Sequence, residues 1–366
     1  MTLSRKKIDE YFMRRALSLA LRGMERTSPN PLVGCVVERD GVVLAEGWHA
    51  CCGEAHAERA ALEGLDSAAG ATIYVNLEPC SHFGRTPPCA PLIVEKGIRR
   101  AVVGMIDPDE RVSGRGLALL RDAGLDVELG VLEPECRRLN RGFLRKVRLG
   151  RPWVTLKGAV GLDGSMALPS GESKWITSEG ARAFAHLLRA EHDAVLVGAG
   201  TVRADDPELT VRNAWGRSPL RVLLDSTLSV GPGAKILGPS CIVFSSESVS
   251  PERVAAVEAS GASVVRVPRK EAGLSLEAVL SELVRRGVCR LLVEGGPAVI
   301  SSFLREGVAD ALSLFLAPRL MGQGKTFTGG LSFSCMGETL ALRECGVKRA
   351  GDDFLLEGVL ACSPDL

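Results

Sequence analysis

Aromatic residues are scarce: Phe, Trp and Tyr together make up 4% of the 366 residues, too few to line a base-stacking surface. An excess of charge of one sign is also absent. Lys and Arg number 45 against 44 Asp and Glu, a net charge of +1. The two absences together argue against a nucleic-acid binder, which would carry a basic, aromatic-interleaved face. No apolar run approaches the roughly 20 residues of a membrane span. The charged segment from Met1 to Glu10 is not followed by the apolar core of a signal peptide. The expectation is a cytoplasmic protein with neither nucleic-acid nor membrane partners. The eleven cysteines are scattered along a long chain rather than crowded into a short secreted framework. That pattern suits a reducing compartment in which a minority bind metal.

What is present points to two packed units. The length favours two domains, and a hydrophobic content of 46% with 24% charge is ample for two cores. The chemistry concentrates between Ala55 and Cys89. There the chain reads Ala55-His56-Ala57-Glu58, then Glu78-Pro79-Cys80, then Cys89. His, Cys and Cys are the N and S donors that Zn²⁺ prefers, and three protein ligands leave one position open for water, as in catalytic sites. Zn²⁺ lowers the pKa of such a water from about 15.7 to roughly 7. Glu58 is not needed as a ligand and is free to carry protons. This order of residues is that of the zinc nucleobase deaminases, except that their cysteines are usually two residues apart. Here Ser81 to Pro88 intervene, a loop that brings His82 and Arg85 beside the metal, where they could hold a polar or anionic substrate. A structural zinc site with His82 as fourth ligand stays open on spacing alone. So does an exposed helical role for Glu58. Residues two apart on a regular helix do not share a face, so His56 and Glu58 require an irregular first turn to meet at one metal.

Around this stretch the periodicities predict layered α/β structure. Ile8, Phe12, Ala16 and Leu19 mark an opening helix, and Asp40-Gly41 between two apolar runs marks a hairpin. Strands at Ala71–Asn76, Arg100–Met105 and Leu125–Leu129 alternate with helices. The charged run Arg145 to Pro152 reads as an interdomain boundary. Beyond it, strand–helix alternation predicts a mainly parallel sheet with both faces covered. The turns Gly198-Ala199-Gly200 and Glu294-Gly295-Gly296-Pro297 could bring backbone N–H groups to a phosphate. Neither completes the dinucleotide fingerprint, so ordinary turns are an equal reading.

The run from Leu77 to Cys89 closely resembles the bifunctional riboflavin-biosynthesis deaminase/reductase family, in which a pyrimidine deaminase precedes a pyrimidine reductase. Lys157-Gly158-Ala159, Leu162-Asp163-Gly164, Ser173 to Thr177, Thr201 to Pro207 and Val293 to Gly296 resemble its reductase half, so the likeness spans nearly the full chain. It implies a cytidine-deaminase-like three-layer α/β domain over residues 1–147 and a dihydrofolate-reductase-like α/β domain over 148–366. It implies one Zn²⁺ per chain, held by His56, Cys80 and Cys89 with Glu58 catalytic, and NADPH. It places Asn30 and His49 near the pyrimidine of the first reaction, with His82 and Arg85 near the substrate as well. In the second half it puts Lys157 and Thr177 near the reacting ribose. Ser173, Arg189, Leu209, Arg212 and Glu294 face the substrate, and planar guanidinium forks suit its phosphate. Ala159, Trp175, Thr201, Asp205, Ser226, Gly296, Pro297 and Ala298 lie along the cofactor. The implied partners are small pyrimidine nucleotides, with homo-oligomerisation through the reductase half. Asp109 stands where many members of the family carry Asn. Three other readings are weighed against this one: a deaminase with a non-catalytic second half, a zinc-stabilised nucleotide sensor, and a polynucleotide deaminase.

Overall fold

The structure, a computed structural model, describes residues 4–364 except 85, 111, 213 and 272. The chain forms two compact units, the first reaching Gly150 and the second starting at Arg151.

In the first unit α1 (Arg5–Ala20) buries Phe12, Met13, Ala16 and Leu19, close to the face its periodicity predicts. The hairpin of β1 (Gly34–Arg39) and β2 (Val42–Trp48) closes on Asp40 and Gly41. Both have positive φ, 55° and 83°, as a two-residue turn matching the strand twist requires. Next come α2 (Ala57–Leu62), β3 (Thr72–Val75), α3 (Cys89–Glu95), β4 (Arg100–Val103), α4 (Arg115–Asp122) and β5 (Asp126–Leu129). The sheet order is β2-β1-β3-β4-β5. β1 runs antiparallel to both neighbours, and β3, β4 and β5 are parallel. One apolar cluster, centred on Val36, Ile73, Ala101 and Val102, joins the sheet to its helices.

The run read as a charged boundary is different. α5 (Glu133–Leu139) is followed by α6 (Arg141–Leu149), which ends on Gly150 at φ 63°. The expected division at 147/148 therefore falls inside a helix. Arg145 is 1% exposed; the charge run is an amphipathic helix packed on its own unit.

The second unit opens with β6 (Trp153–Val160), β7 (Ser165–Ala167), α7 (Glu179–Ala190), β8 (Ala194–Gly198), α8 (Ala199–Asp205), β9 (Leu220–Leu224) and β10 (Cys241–Ser246). It continues with α9 (Pro251–Glu258), β11 (Ser263–Val267), the small hairpin β12 (Arg269–Lys270) and β13 (Gly273–Leu274), and α10 (Leu276–Arg285). Last come β14 (Arg290–Val293), α11 (Pro297–Arg305), β15 (Ala311–Leu316), β16 (Lys325–Thr326), β17 (Leu342–Ala350) and β18 (Asp353–Leu360). Nine strands make one sheet in the order β11-β10-β9-β8-β14-β6-β15-β18-β17. It is parallel as far as β15 and antiparallel over the last two strands.

Alternate residues of one strand feed opposite faces. Leu196 packs with Leu280, Ile300 and Phe303 on one side, while Val195 and Val197 pack with Ala185, Leu188 and Val257 on the other. Ser178 caps α7 by accepting the Ala181 N–H, and Ser275 caps α10 in the same way. Pro251 and Pro297 each occupy the first position of a helix, where the missing N–H costs nothing.

Candidate active sites

His56 is the N-cap of α2, with extended backbone at φ −69° and ψ 161°, and Glu58 lies in the first turn. The two side chains thus escape the regular helical spacing that would have separated them. On the other side, Cys89 opens α3, and its N–H and that of Ala90 both bond the Cys80 carbonyl, at 3.1 and 3.0 Å. This short turn brings the two thiols together despite eight intervening residues. Nδ1 of His56 lies 3.5 Å from the sulfur of Cys80 and 3.5 Å from that of Cys89. All three donor atoms lie within 4.8 Å of one another, and His82 is not part of the group. One imidazole nitrogen and two sulfurs fit Zn²⁺, with room for a non-protein fourth ligand.

The electrostatics agree with a metal-binding set. The hydrogen bond from the Cys89 thiol holds the Cys80 thiol down at about 4 and pushes Cys89 up, so the pair shares one proton. The contact with Cys80 raises His56. Glu58 is buried, and burial with the nearby Cys80 charge pushes its carboxyl up to about 7.

His56, Glu58 and Cys80 line a cleft of about 920 Å³ together with Asn30, His49 and His82. Cys89 is fully buried and joins the donor group without lining the cleft. Arg85 lies outside the described residues. His49 is held on both ring nitrogens: Nδ1 is 3.0 Å from the Ala55 carbonyl and Nε2 is 3.1 Å from Asn30 Nδ2. Burial lowers its pKa. A neutral ring donates from Nδ1 to the carbonyl, and Nε2 then accepts from the Asn30 amide. That fixes the amide's orientation and leaves Oδ1 of Asn30 as an acceptor for a ligand.

Several groups at this site escaped the sequence reading. The buried Glu78 carboxylate accepts backbone N–H bonds from Asp107, Gly114, Gly116 and Leu117, at 3.2, 2.9, 2.9 and 3.3 Å. It gathers the loop that follows β4 and the start of α4 beside Cys80. Asn140 bonds both the N–H and the carbonyl of Leu32, at 2.8 and 3.0 Å, and Lys146 bonds the Pro29 carbonyl at 3.1 Å. The α5–α6 corner thereby clamps the segment that carries Asn30. Phe143, Lys146 and Arg148 also line the cleft. Asp107 lines it too, its carboxyl pushed up by burial to about 6, and Asp109 lies next to it.

In the second unit a cleft of about 480 Å³ opens at the C-terminal ends of β8, β14 and β6. Ligands of open α/β sheets gather at that edge. Lys157, Ala159, Ser173, Trp175 and Thr177 line it. Arg189, Thr201, Asp205, Leu209, Arg212 and Glu294 line the same cleft. Arg189 grips Glu294 with Nε and Nη2 at 2.6 and 2.9 Å, and Lys157 stands 3.5 Å from the same carboxylate. Against the cost of burial, these two cations hold Glu294 down at about 2. The Arg182 guanidinium stacks on the Trp175 ring at 4.5 Å.

Four expected cofactor residues do not line this cleft. Gly296 caps α11 and donates its N–H to the Thr201 hydroxyl at 3.1 Å, with Pro297 and Ala298 following in the first turn. Ser226 lies just past β9, its carbonyl accepting the Ser246 N–H at 3.1 Å. The start of α8, unrecognised in the sequence because two of its first residues read as a glycine turn, is thus tied to the start of α11.

Comparison with known proteins agrees with both halves. Residues 6–105 match the cytidine and deoxycytidylate deaminase zinc-binding region, and residues 152–356 match the RibD C-terminal domain. The chain is 42% identical over 357 residues to the riboflavin biosynthesis protein RibD of Aquifex aeolicus, covering 96% of this chain and 98% of that one. It is 41% identical over 335 residues to RibD of Escherichia coli, covering 86% and 89%. Among solved structures, RibD of Acinetobacter baumannii superposes with a TM-score of 0.87 at 36% identity, covering 98% of this chain and 100% of that one. The Thermotoga maritima diaminohydroxyphosphoribosylaminopyrimidine deaminase/5-amino-6-(5-phosphoribosylamino)uracil reductase superposes with a TM-score of 0.86 at 38% identity, covering 97% and 99%.

Proposed function

The chain belongs to the RibD family of bifunctional deaminase/reductases of riboflavin biosynthesis, and on that premise we propose which of its own residues perform the two reactions. The first is hydrolytic removal of the 2-amino group of a diaminopyrimidinone ribosylamine 5′-phosphate. The observation that carries it is the buried Glu58 carboxyl set beside the converging donor atoms of His56, Cys80 and Cys89. These three hold Zn²⁺, which when bound supplies a Lewis acid that makes water nucleophilic at neutral pH. Glu58 takes one proton from the attacking water and passes it to the ring nitrogen, then carries the hydroxyl proton of the adduct to the amine, which leaves as ammonia while the carbonyl forms. Asn30, oriented by His49, accepts a hydrogen bond from the pyrimidine edge. His82, and by the family resemblance Arg85, belong to the binding of the same substrate.

The second reaction opens the ribosyl group of the uracil product to a ribityl chain. NADPH supplies the hydride; the protein contributes placement and charge. Thr201, Gly296, Pro297 and Ala298 are assigned to the cofactor's phosphates, at the start of α11, which is tied to α8 through Thr201 and where a helix N-terminus favours negative charge. Ala159, Trp175, Asp205 and Ser226 complete the cofactor's contacts. Lys157 and Thr177 face the ribose, and Ser173, Arg189, Leu209, Arg212 and Glu294 the rest of the substrate. The assignment of deamination to the first unit and reduction to the second, and a location in the cytoplasm, belong to the same proposal. No helix of the described residues is long and apolar enough to cross a membrane. Self-association would use the second unit, whose edge strand β17 exposes Glu344 to Arg349.

Replacement of Glu58 by Gln tests the assignment. Deamination should fall by roughly 10²–10⁴-fold, with zinc content unchanged and reduction of the deaminated nucleotide intact. A Glu58→Gln protein that deaminates at the native rate would remove Glu58 from the mechanism.

A further inference from the structure

One histidine in the second cleft has no part in the reaction as assigned above. His186 lies on α7, one turn before Arg189, and lines the cleft with Arg189 and Arg212. Its Nδ1 accepts the backbone N–H of Arg212 at 3.3 Å. Two residues earlier, the Thr210 carbonyl accepts a bond from Nη1 of Arg189 at 3.2 Å. The segment from Leu209 to Arg212 is therefore docked on α7 at two points. One is a guanidinium already committed to Glu294; the other is the His186 ring. Leu209, at φ 55°, makes the turn that delivers the segment.

We propose that His186 is a positioning residue of the reductase: its neutral ring holds the Thr210–Arg212 backbone against α7, so that the Arg212 side chain meets the substrate's phosphate. The proposal rests on the reading above that Arg212 faces that substrate. Without the Nδ1 acceptor the Arg212 N–H loses its partner and the segment is tied to α7 only through Arg189.

The bond requires an unprotonated Nδ1, which makes the docking sensitive to pH. The charged groups acting on the ring are Arg189 from α7, Arg212 from the docked segment, itself paired with Glu208, and Glu294 past the end of β14, itself paired with Lys157. Burial and the two arginines lower the ring's pKa, and Glu294 and a bond to the Thr210 backbone oppose them. His186 is neutral at physiological pH and becomes charged only on acidification.

Two substitutions in the full, zinc-loaded chain test this. Binding of the uracil ribosylamine phosphate is measured by calorimetry as Kd, and its reduction by NADPH consumption as KM and kcat, between about pH 5 and pH 8. His186→Leu should raise Kd and KM roughly tenfold at neutral pH, the effect of leaving one backbone donor unmade, with little change in kcat. His186→Asn offers an amide oxygen in place of Nδ1 and cannot take up a proton. It should keep near-native Kd at neutral pH and show a smaller loss of affinity on acidification than the native protein. Any acid dependence left in His186→Asn belongs to the substrate phosphate, whose second pKa is about 6. Native Kd in His186→Leu, or the same acid response in His186→Asn as in the native chain, would overturn the proposal. If His186→Leu does not fold, the His186→Asn pH response decides by itself. A native chain that binds the nucleotide but never oxidises NADPH would instead sink the reductase reading, leaving the Kd comparison to judge His186.

Discussion

Glu294 shows how far one buried carboxylate can be carried from its ordinary behaviour. Arg189 and Lys157 hold it ionised down to about 2, while in the unfolded chain it titrates near 4.3. Between those values the unfolded state binds the extra proton, so stability rises with pH across the window and is lost as pH falls through it. The contribution is up to roughly 3 kcal/mol. Urea unfolding of the native chain at about pH 5 and pH 3 should show a loss that Glu294→Gln, with no proton to take up there, lacks. Equal losses in both proteins would contradict the account. Which residues were legible in the sequence follows from the same physics. His56, Glu58, Cys80 and Cys89 could be found because metal and proton chemistry restricts the residue types at each position. Glu78, Asn140 and His186 could not, because their partners are backbone groups 26 to 108 residues away. Any residue type supplies those groups, so no side-chain pattern marks them.

At the scale of the element, the candidate deaminase site is assembled by helix starts. His56 precedes α2, Cys89 begins α3, and Glu78 binds the first turn of α4. The last arrangement requires a glycine. A Cβ on Gly116 would meet the Pro79 carbonyl oxygen at 1.9 Å, so Gly116→Ala must displace either α4 or the turn holding Cys80. Overpacking of this kind costs roughly 1–3 kcal/mol. The expected outcome is a lower Tm for the first unit and reduced zinc occupancy by metal analysis, with reduction by the second unit unimpaired. Full zinc occupancy at the native Tm would show that the contact is relieved elsewhere. Periodicity made α1, the hairpin and the parallel strands readable. The antiparallel strands β17 and β18 were missed; β17 has six consecutive exposed residues, so it carries no alternating apolar signal. The α5–α6 corner was missed because Arg145 and its charged neighbours read as an interdomain boundary, whereas the arginine is buried.

At the scale of the whole molecule, each unit has its own sheet and its own apolar core, so the two chemistries should fail separately. Zinc chelation is expected to abolish deamination while NADPH-dependent reduction of an already deaminated nucleotide continues. Loss of both on chelation would contradict separate sites. The order of the reactions is the central claim, and one experiment reads it directly. The zinc-loaded chain is incubated with the diaminopyrimidinone ribosylamine phosphate, with and without NADPH, and the products are followed by mass spectrometry. The account predicts the deaminated ribosyl compound alone without NADPH, and its ribityl form only when NADPH is present. A ribityl product that still carries the 2-amino group would reverse the order, and no deaminated product from protein holding its zinc would contradict the assignment of the substrate.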